Sequence, residues 1–206
     1  MNLLKFHNKI KGYTQNRQPG IEADMEPKPI AELEEYKAAG KLENKVALIT
    51  GGDSGIGRAI AILYAKEGAN VAIGYYDEHQ DAEDTVNRLQ EMGVKAKAYA
   101  HDLKDEKQSQ KLIKDVINDF GSLNILVNNG GVQFPRDHFE DITPQQVKET
   151  FMTNIFGMMF LSQAAVPYLS EGDTIINTTS VTAYRGSGHL IDYSATKGAI
   201  VSFTRS

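Results

Sequence analysis

The stretch Lys45–Gly57, KVALITGGDSGIG, decides the fold, and the rest of the chain is interpreted outward from it. Its first part, Val46–Thr50, is a short apolar run rich in β-branched residues, which predicts a strand buried on both faces. A turn rich in glycine follows, and Arg58–Glu67 then shows the periodicity of a helix. The stretch therefore predicts a strand, a tight turn and a helix in direct succession.

This order of elements suits a phosphate group. Free backbone N–H groups at the start of a helix, together with the positive end of the helix dipole, bind anions. The glycines Gly51, Gly55 and Gly57 allow positive φ angles and leave no Cβ that would hold a phosphate away. Their spacing, T-G-x-x-x-G-I-G, differs from the G-x-G-x-x-G fingerprint, so an ordinary tight turn is the alternative interpretation.

Composition narrows the class of protein. The chain has 206 residues, 41% apolar and 24% charged, which is typical of one soluble globular domain with a core. A net charge of −5 without a basic stripe argues against nucleic acid as a partner. The absence of cysteine excludes disulfides, and the histidines lack metal-ligand spacing, so we expect no metal. Without an apolar span or a secretory signal, we expect no membrane association and a cytoplasmic location.

Apolar runs and helical stripes alternate along the chain. The predicted strands are Val46–Thr50, Asn70–Tyr75, Val94–Ala100, Leu123–Val127 and Asp173–Thr178. The predicted helices are Arg58–Glu67, Gln80–Met92, Asp105–Phe120, Thr143–Leu169 and one that opens at Asp192. Such alternation predicts an α/β fold, a doubly wound parallel sheet of the Rossmann type with helices on both faces. Ligands of these sheets bind beyond the carboxyl ends of the strands, where the glycine turn belongs.

The start of the chain has a different character. Residues 1–44 combine several prolines with polar residues, and we interpret them as an N-terminal extension outside a dinucleotide-binding domain at 45–206. The pattern allows one short helix in the extension, at Ala31–Ala39. Two interpretations stay open: the extension wraps the domain or contacts a neighbouring subunit, or it is a mobile tail.

Further motifs follow the later predicted strands. In chain order they are Asp102-Leu103, Asn128-Asn129-Gly130-Gly131, Asn154 within the long helix, Ser180, and Tyr193-x-x-x-Lys197. Each motif is weak alone, but the ordered set, from Lys45 onward, closely resembles the short-chain dehydrogenase/reductase family. The extension and the glycine turn are similar to a bacterial subgroup of general stress and glucose-dehydrogenase-like proteins. The resemblance implies an oxidoreductase that transfers a hydride between a nicotinamide cofactor and an alcohol or ketone, including sugars.

The resemblance also implies where the cofactor binds. At the turn, the implied cofactor-binding residues are Gly51, Asp53, Ser54, Gly55, Ile56 and Gly57, the last four of them lining the phosphates. Asp102 and Leu103 would meet the adenine, and Asn128 would hold the adjoining strand end against the cofactor. Gly130 replaces the alanine of the family's N-N-A-G, so we expect looser cofactor contact there but no loss of function.

The residues around the second predicted strand favour NAD over NADP. A 2′-phosphate is bound by arginine or lysine near the first turn and the end of the second strand. Here Asp53 and Ser54 occupy the turn, and the acidic stretch Tyr75–Glu78 follows the strand, which disfavours a dianion. We expect NAD to bind at least about tenfold tighter than NADP, with NADP as the second possibility.

A catalytic tetrad of Asn154, Ser180, Tyr193 and Lys197 is likewise implied by the resemblance. Tyr193 and Lys197 are four positions apart on a helix and so share a face. A free tyrosine has a pKa of about 10, and an ammonium about 4 Å away stabilises a phenolate by roughly 4 kcal/mol. We therefore expect Tyr193 to be the general acid/base and Lys197 to tune it, both of them touching the cofactor. Ser180 would orient the substrate oxygen, and Asn154 would bind a water that relays protons.

Each of these residues also has an ordinary structural explanation. A tyrosine and a lysine at this spacing are usually a solvated pair on a helix surface. Ser180 could belong to a turn, and Asn154 could be a hydrogen-bonded polar residue in a packed helix. The joint occurrence of all motifs in order favours the catalytic interpretation.

The family resemblance implies further chain after Ser206, which affects three expectations. The fifth predicted strand would be left as an exposed apolar edge of an incomplete sheet. A non-catalytic dinucleotide-binding remnant is the alternative function. Family members are commonly tetramers through the helices that begin at Thr143 and near Tyr193, so we expect a homo-oligomer for the full-length protein.

Overall fold

The computed structural model describes residues 15, 17–18, 20–33 and 35–206, which contain a five-stranded sheet. The strands are β1 Val46–Thr50, β2 Asn70–Tyr75, β3 Ala96–Ala100, β4 Ile125–Asn128 and β5 Thr174–Asn177. Their order is β3-β2-β1-β4-β5, and every neighbouring pair is parallel. Strand order reverses between β1 and β4, so the predicted doubly wound α/β sheet is confirmed.

Helices cover both faces of this sheet. They are α1 Gly55–Lys66, α2 His79–Glu91, α3 Glu106–Phe120, α4 Pro144–Phe151, α5 Gly157–Ala165, α6 Thr182–Arg185 and α7 Ile191–Arg205. Short 3₁₀ turns occupy Glu22–Asp24, Phe139–Asp141 and Val166–Tyr168. α1 begins at Gly55 and not at the predicted Arg58, because the end of the glycine turn is itself the first helical turn. None of the helices in the described ranges combines the length and apolarity that a bilayer span requires.

The helix predicted over Thr143–Leu169 is not one regular α-helix. Its start is as expected, since the Thr143 hydroxyl accepts a hydrogen bond from the Gln146 N–H. Between α4 and α5, however, Met152–Phe156 forms a turn of π-helix, and the end, Val166–Tyr168, tightens into a 3₁₀ turn. The stretch Phe151–Leu161 is apolar on almost every side, so its periodicity does not reveal the one residue that a π turn adds.

β1 is the centre of the sheet and is buried along its whole length. Ala47 and Ile49 pack with apolar residues of α1 and α2, whereas Val46 and Leu48 pack with those of α3 and α5. Because successive side chains of a strand point to opposite faces, this one strand anchors helices on both sides. The carboxyl end of β1, and the glycine turn after it, are therefore held in the middle of the sheet.

One end of the sheet is β5, which pairs with β4 alone among the strands just described. Its residues alternate between exposed and half-buried, and Ile176 is exposed. The expected exposed edge is present at β5, where one row of backbone N–H and C=O groups has no strand partner within the described residues.

The described part of the N-terminal extension lies against the domain. The predicted helix at Ala31–Ala39 is wrong, because residues 31–33 and 35–39 form no helix. The Glu32 carboxylate instead pairs with cations of α1 and α2. The Glu67 carboxylate accepts hydrogen bonds from two N–H groups of the extension, so these side-chain contacts hold it in an irregular path.

Candidate active site

A cleft of about 740 Å³ lies beyond the carboxyl ends of the first four strands. Its wall includes these sequence-predicted cofactor residues: Gly51, Asp53, Ser54, Gly55, Ile56, Asp102, Leu103 and Gly130. The remaining predicted cofactor residues, Gly57, Asn128, Tyr193 and Lys197, are not part of this wall as described. Asn128 and Lys197 line a much smaller cavity that borders the cleft at Leu103 and Gly130.

The glycine turn has a backbone that other residues could not adopt. Gly51 and Gly55 have φ angles of 60° and 52°, in the left-handed region. A Cβ at Gly57 would lie 1.8 Å from the carbonyl oxygen of Gly51, which is a direct clash with the backbone. A Cβ at Gly55 would meet nothing within 4 Å, so the face of the turn toward the cleft is open. The turn therefore leaves space at the start of α1 for a phosphate group to approach the backbone closely, although the Gly55 N–H itself is bonded to a carboxylate.

The residue that anchors this turn comes from the N-terminal extension and was not predicted. Glu22 is buried, and its carboxylate accepts a hydrogen bond from the Gly55 N–H at 2.6 Å. The same carboxylate pairs with the Arg58 guanidinium at 2.8 Å. An anion at a helix N-terminus is stabilised by the helix dipole, so Glu22 ties the extension to the start of α1. A single glutamate in an irregular stretch gives no sequence signal for such a contact.

The end of β4 is joined to the glycine turn by a set of short hydrogen bonds. The Thr50 hydroxyl accepts from the N–H groups of Asn129 and Gly130, at 3.0 and 2.9 Å. The Asn129 amide donates in turn to the carbonyls of Thr50 and Gly51. Asn128 donates to side chains of β5 and α5, so it braces the sheet from the other side. Asn129 is therefore a positioning residue that the sequence analysis did not assign.

Two of the predicted catalytic residues lie one turn apart on α7. The Lys197 nitrogen is 5.4 Å from the centre of the Tyr193 ring and donates to the Thr178 carbonyl at 2.8 Å. Lys197 is only 4% exposed, and this burial lowers the pKa of its ammonium to about 8. Tyr193 is half-buried. The two side chains are thus neighbours inside the fold and not a solvated surface pair.

Asn154 is brought to the same place by the π turn between α4 and α5. It is buried, and its amide bonds both backbone groups of Val132, at 2.8 and 2.9 Å. A Cβ built on Gly131 would lie 3.0 Å from the Asn154 oxygen and 3.9 Å from the Lys197 nitrogen. Gly131 also lines the large cleft, so Asn154 and Lys197 meet at its border.

Ser180 follows β5, as predicted, and is half-buried. Its hydroxyl oxygen accepts hydrogen bonds from the N–H and the hydroxyl of Thr182, at 3.2 and 3.1 Å. The adjacent Thr179 hydroxyl donates to the Lys197 carbonyl at 2.9 Å, which ties this segment to α7. Ser180 is therefore linked to α7 through its neighbour Thr179, and its own described hydrogen bonds are with Thr182.

Two further residues of the site were missed by the sequence analysis. The buried Asp192 carboxylate accepts from the Thr150 hydroxyl at 2.7 Å and the Gln146 amide at 3.1 Å, which fixes the start of α7 on α4. His101 lines the cleft beside Gly74, and neither ring nitrogen meets hydrogen-bond geometry with a partner among the described residues. Burial lowers the pKa of His101 to about 4, so its ring is neutral near pH 7. Neither residue belongs to a motif recognisable from spacing.

Comparisons with known proteins give the family of this chain. The family described as "short chain dehydrogenase" matches residues 45–206. General stress protein 39 of Bacillus subtilis (strain 168) is 49% identical over 203 residues, which are 98% of this chain and 71% of that protein. The uncharacterized oxidoreductase YhdF of the same organism is 53% identical over 192 residues, covering 93% and 66% of the two chains. Glucose and ribitol dehydrogenase of Daucus carota is 45% identical over 199 residues, covering 93% and 68%.

A solved structure shows the same fold. The short chain dehydrogenase from Burkholderia cenocepacia J2315, in complex with NADP, has a TM-score of 0.78 and 35% identity, covering 80% of this chain and 67% of that one. The chain thus spans about two thirds of the lengths of the proteins it matches, from 66% to 71% of the curated relatives named above. The family match over 162 positions of 45–206, the relatives and the shared fold confirm the resemblance: this chain belongs to the short-chain dehydrogenase family.

Proposed function

We propose that this chain contains the cofactor site and catalytic residues of an oxidoreductase acting on the CH–OH group of an alcohol or sugar, or on the corresponding carbonyl. The observation that supports it best is that Asn154 and Lys197 meet beside Gly131 at the border of the cleft, with the Tyr193 ring next to the Lys197 ammonium. A nicotinamide dinucleotide, when bound, supplies the hydride chemistry, and the protein supplies placement and electrostatics.

Tyr193 is the proposed general acid/base. At neutral pH the buried Lys197 remains mostly an ammonium, because its lowered pKa of about 8 still lies above 7. Beside the positive charge of Lys197, the Tyr193 oxygen is proposed to receive the proton of a substrate hydroxyl, or its hydroxyl to give a proton to a carbonyl oxygen. Ser180, with a hydroxyl that can also donate, is the proposed group that orients this substrate oxygen.

Asn154 is proposed first as a positioning residue. Its amide oxygen and nitrogen are both bonded to the backbone of Val132, so it holds the loop after β4 against the site. One lone pair of an amide oxygen remains after such a bond, which leaves room for the predicted water that relays protons toward Lys197. That relay stays a prediction.

The residues of the cleft fit a dinucleotide. The open space beside Gly55 in the cleft wall leaves room for a diphosphate close to the backbone at the start of α1. We assign the predicted turn residues to this diphosphate, and Asp102 and Leu103 to the adenine. Gly130 would border the cofactor at the end of β4. NAD, bound at least about tenfold tighter than NADP, stays our prediction from the acidic stretch after β2.

We also propose that the full-length protein is a homo-oligomer. Exposed apolar side chains on and beside α5, Phe156, Met159 and Val166, support an interface on that helix. Light scattering of the purified full-length protein tests this proposal, and a monomer at micromolar concentration would contradict it. A cytoplasmic location stays a prediction from the sequence.

The test of the proposed function is NADH production on a panel of alcohols, polyols and sugars. The wild-type protein should turn over at least one of them, and Tyr193→Phe should lose at least about 10²-fold in kcat, as removal of a general acid/base does. Tyr168→Phe, a change at an exposed tyrosine outside the site, is the matched control and should retain wild-type rates. Retained activity in Tyr193→Phe would remove the assigned acid/base. NAD binding without turnover of any substrate would favour the alternative, a dinucleotide-binding protein without catalysis.

A further inference from the structure

The N-terminal extension forms part of the wall of the cofactor cleft, although it lies outside the family match. Gln15, Arg17 and Gln18 all line the cleft. The Gln15 amide closes this loop, since it both donates to and accepts from the backbone of Ile21, at 2.8 and 2.7 Å. The next residue, Glu22, is the one bonded to the start of α1. The loop is therefore held over the cleft from two sides.

Within this loop, Arg17 contacts two carboxylates that directly follow β2. Its guanidinium is 2.7 Å from an Asp77 oxygen and 2.7 Å from a Glu78 oxygen. The Glu78 side chain is only 2% exposed. Burial and the neighbouring Asp77 raise the pKa of Glu78, whereas the pKa of Asp77 is lowered, so Asp77 carries more of the negative charge. The sequence alone predicts an acidic surface at this end of β2. Arg17 adds a positive charge there that compensates the carboxylates.

This place in the fold has a defined role in dinucleotide binding. In doubly wound folds, an acidic residue about 20 positions beyond the glycine turn binds the 2′-hydroxyl of the adenosine ribose, and an arginine nearby accommodates a 2′-phosphate. Asp77 stands at that distance from Gly57 and at the end of β2. Resting on the dinucleotide site proposed above, we propose that Arg17 is a specificity-determining residue of the cofactor site, and that it lets the acidic end of β2 tolerate a 2′-phosphate.

The physical reason is charge. Two carboxylates without Arg17 would repel a phosphate dianion but would still accept a hydrogen bond from a ribose hydroxyl. With Arg17 between them, the positive charge of the guanidinium offsets much of this repulsion. NADP should therefore depend on Arg17 much more than NAD does.

A second arginine attaches the extension to the domain away from the cleft, and it therefore serves as a control. Arg88 on α2 bonds both carboxylate oxygens of Glu32 in the extension, each at 3.0 Å. Arg88 does not line the cleft as described. Both arginines therefore tie the extension to the domain, but only Arg17 does so at the proposed cofactor site.

Calorimetric titration of the whole chain with NAD⁺ and with NADP⁺ tests the proposal without relying on activity. In Arg17→Gln, NADP⁺ should bind at least about tenfold more weakly, whereas NAD⁺ should change by less than about threefold. Arg88→Gln should leave the ratio of the two dissociation constants unchanged. Adding Asp77→Asn to Arg17→Gln should restore most of the lost NADP⁺ affinity, because one repelling charge is removed.

Three results would overturn this inference while the proposed dinucleotide site stands. The first is an equal loss of affinity for NAD⁺ and NADP⁺ in Arg17→Gln. The second is a change in the ratio of the two dissociation constants in Arg88→Gln that equals the change in Arg17→Gln. The third is a wild-type protein that binds NAD⁺ but from which NADP⁺ does not displace it. A folded wild-type protein that binds neither dinucleotide would instead overturn the proposed function, and this inference with it.

Discussion

The ammonium nitrogen of Lys197 lies 5.4 Å from the centre of the Tyr193 ring, and both side chains project from α7 inside the fold. The four-residue spacing places them on one face, but the burial of Lys197 depends on residues elsewhere in the chain, such as Asn128 and Met158 in the small cavity that it lines. Thr178 offers its carbonyl to the ammonium in that packing. A buried ammonium loses its hydration, and this loss destabilises the folded state.

Lys197→Met should make the cofactor-free protein more stable at neutral pH. The folded state lowers the pKa of Lys197 from 10.5 to about 8, so the charged form costs roughly 3 kcal/mol below pH 8. Between pH 8 and 10.5 the unfolded chain binds more protons than the folded one, so this cost fades as the pH rises. Since methionine leaves the Thr178 carbonyl without its donor, at a cost of about 1 to 2 kcal/mol, we expect a net gain of about 1 to 2 kcal/mol at pH 7.

Urea denaturation of both proteins at pH 7 and pH 10 measures this effect. The stability difference between Lys197→Met and wild type should narrow by about 2 kcal/mol at the higher pH. Lys111→Met, at a lysine whose side chain is 74% exposed, should show no such narrowing. If the difference in unfolding free energy between Lys197→Met and wild type were the same at both pH values, the cost of the buried ammonium would not explain it.

Asp192→Asn should lower activity while leaving cofactor binding nearly intact. The carboxylate accepts from Thr150, Gln146 and the Tyr193 N–H, and an amide cannot accept at both of its ends. The start of α7 should shift, which misplaces the proposed acid/base. We expect a loss of about 1 to 3 kcal/mol in stability and at least about tenfold in kcat, with a change below about threefold in the dissociation constant of NAD.

Steady-state kinetics measures kcat, and calorimetric titration of the same protein measures the dissociation constant of NAD. Asp84→Asn, a change at an exposed carboxylate on α2, is the control and should match wild type. If Asp192→Asn lost cofactor affinity as much as kcat, the residue would support the whole cleft and not the position of Tyr193.

The parts of this structure that were predictable from sequence are those with a local pattern. The apolar run of β1 and the glycines after it lie within one short stretch of sequence. The helical stripes likewise repeat within a single element. The contacts of Glu22 and Arg17 were not predictable, because each joins the extension to residues far along the chain and neither stretch has a period. The π turn around Asn154 was also missed, since the residues around it are apolar on almost every side and show no clear period.

Gly57→Ala should damage both the fold and the cofactor site. A Cβ there would lie 1.8 Å from the Gly51 carbonyl oxygen, so the turn would have to move away from the start of α1. We expect a loss of at least about 2 kcal/mol in stability and no measurable NAD binding. Gly198→Ala, on α7 where a Cβ meets nothing within 4 Å, should be neutral or more stable by up to about 1 kcal/mol.

Thermal unfolding with and without NAD distinguishes the two glycines. NAD should raise the midpoint of wild type and Gly198→Ala but not that of Gly57→Ala. A Gly57→Ala protein that is stabilised by NAD like wild type would contradict the tight packing of this turn.

Glu22→Ala should release the N-terminal extension from the domain. The substitution removes a buried carboxylate from the start of α1, leaving the Gly55 N–H and the Arg58 guanidinium without this partner. We expect a loss of about 1 to 3 kcal/mol in stability and faster proteolytic cleavage within the extension, because cleavage needs a segment that opens from the surface. Glu26→Ala changes an exposed carboxylate of the same segment and should behave as wild type. Limited proteolysis followed by mass spectrometry locates the cuts, and equal cleavage of the extension in Glu22→Ala, Glu26→Ala and wild type would show that Glu22 does not hold it in place.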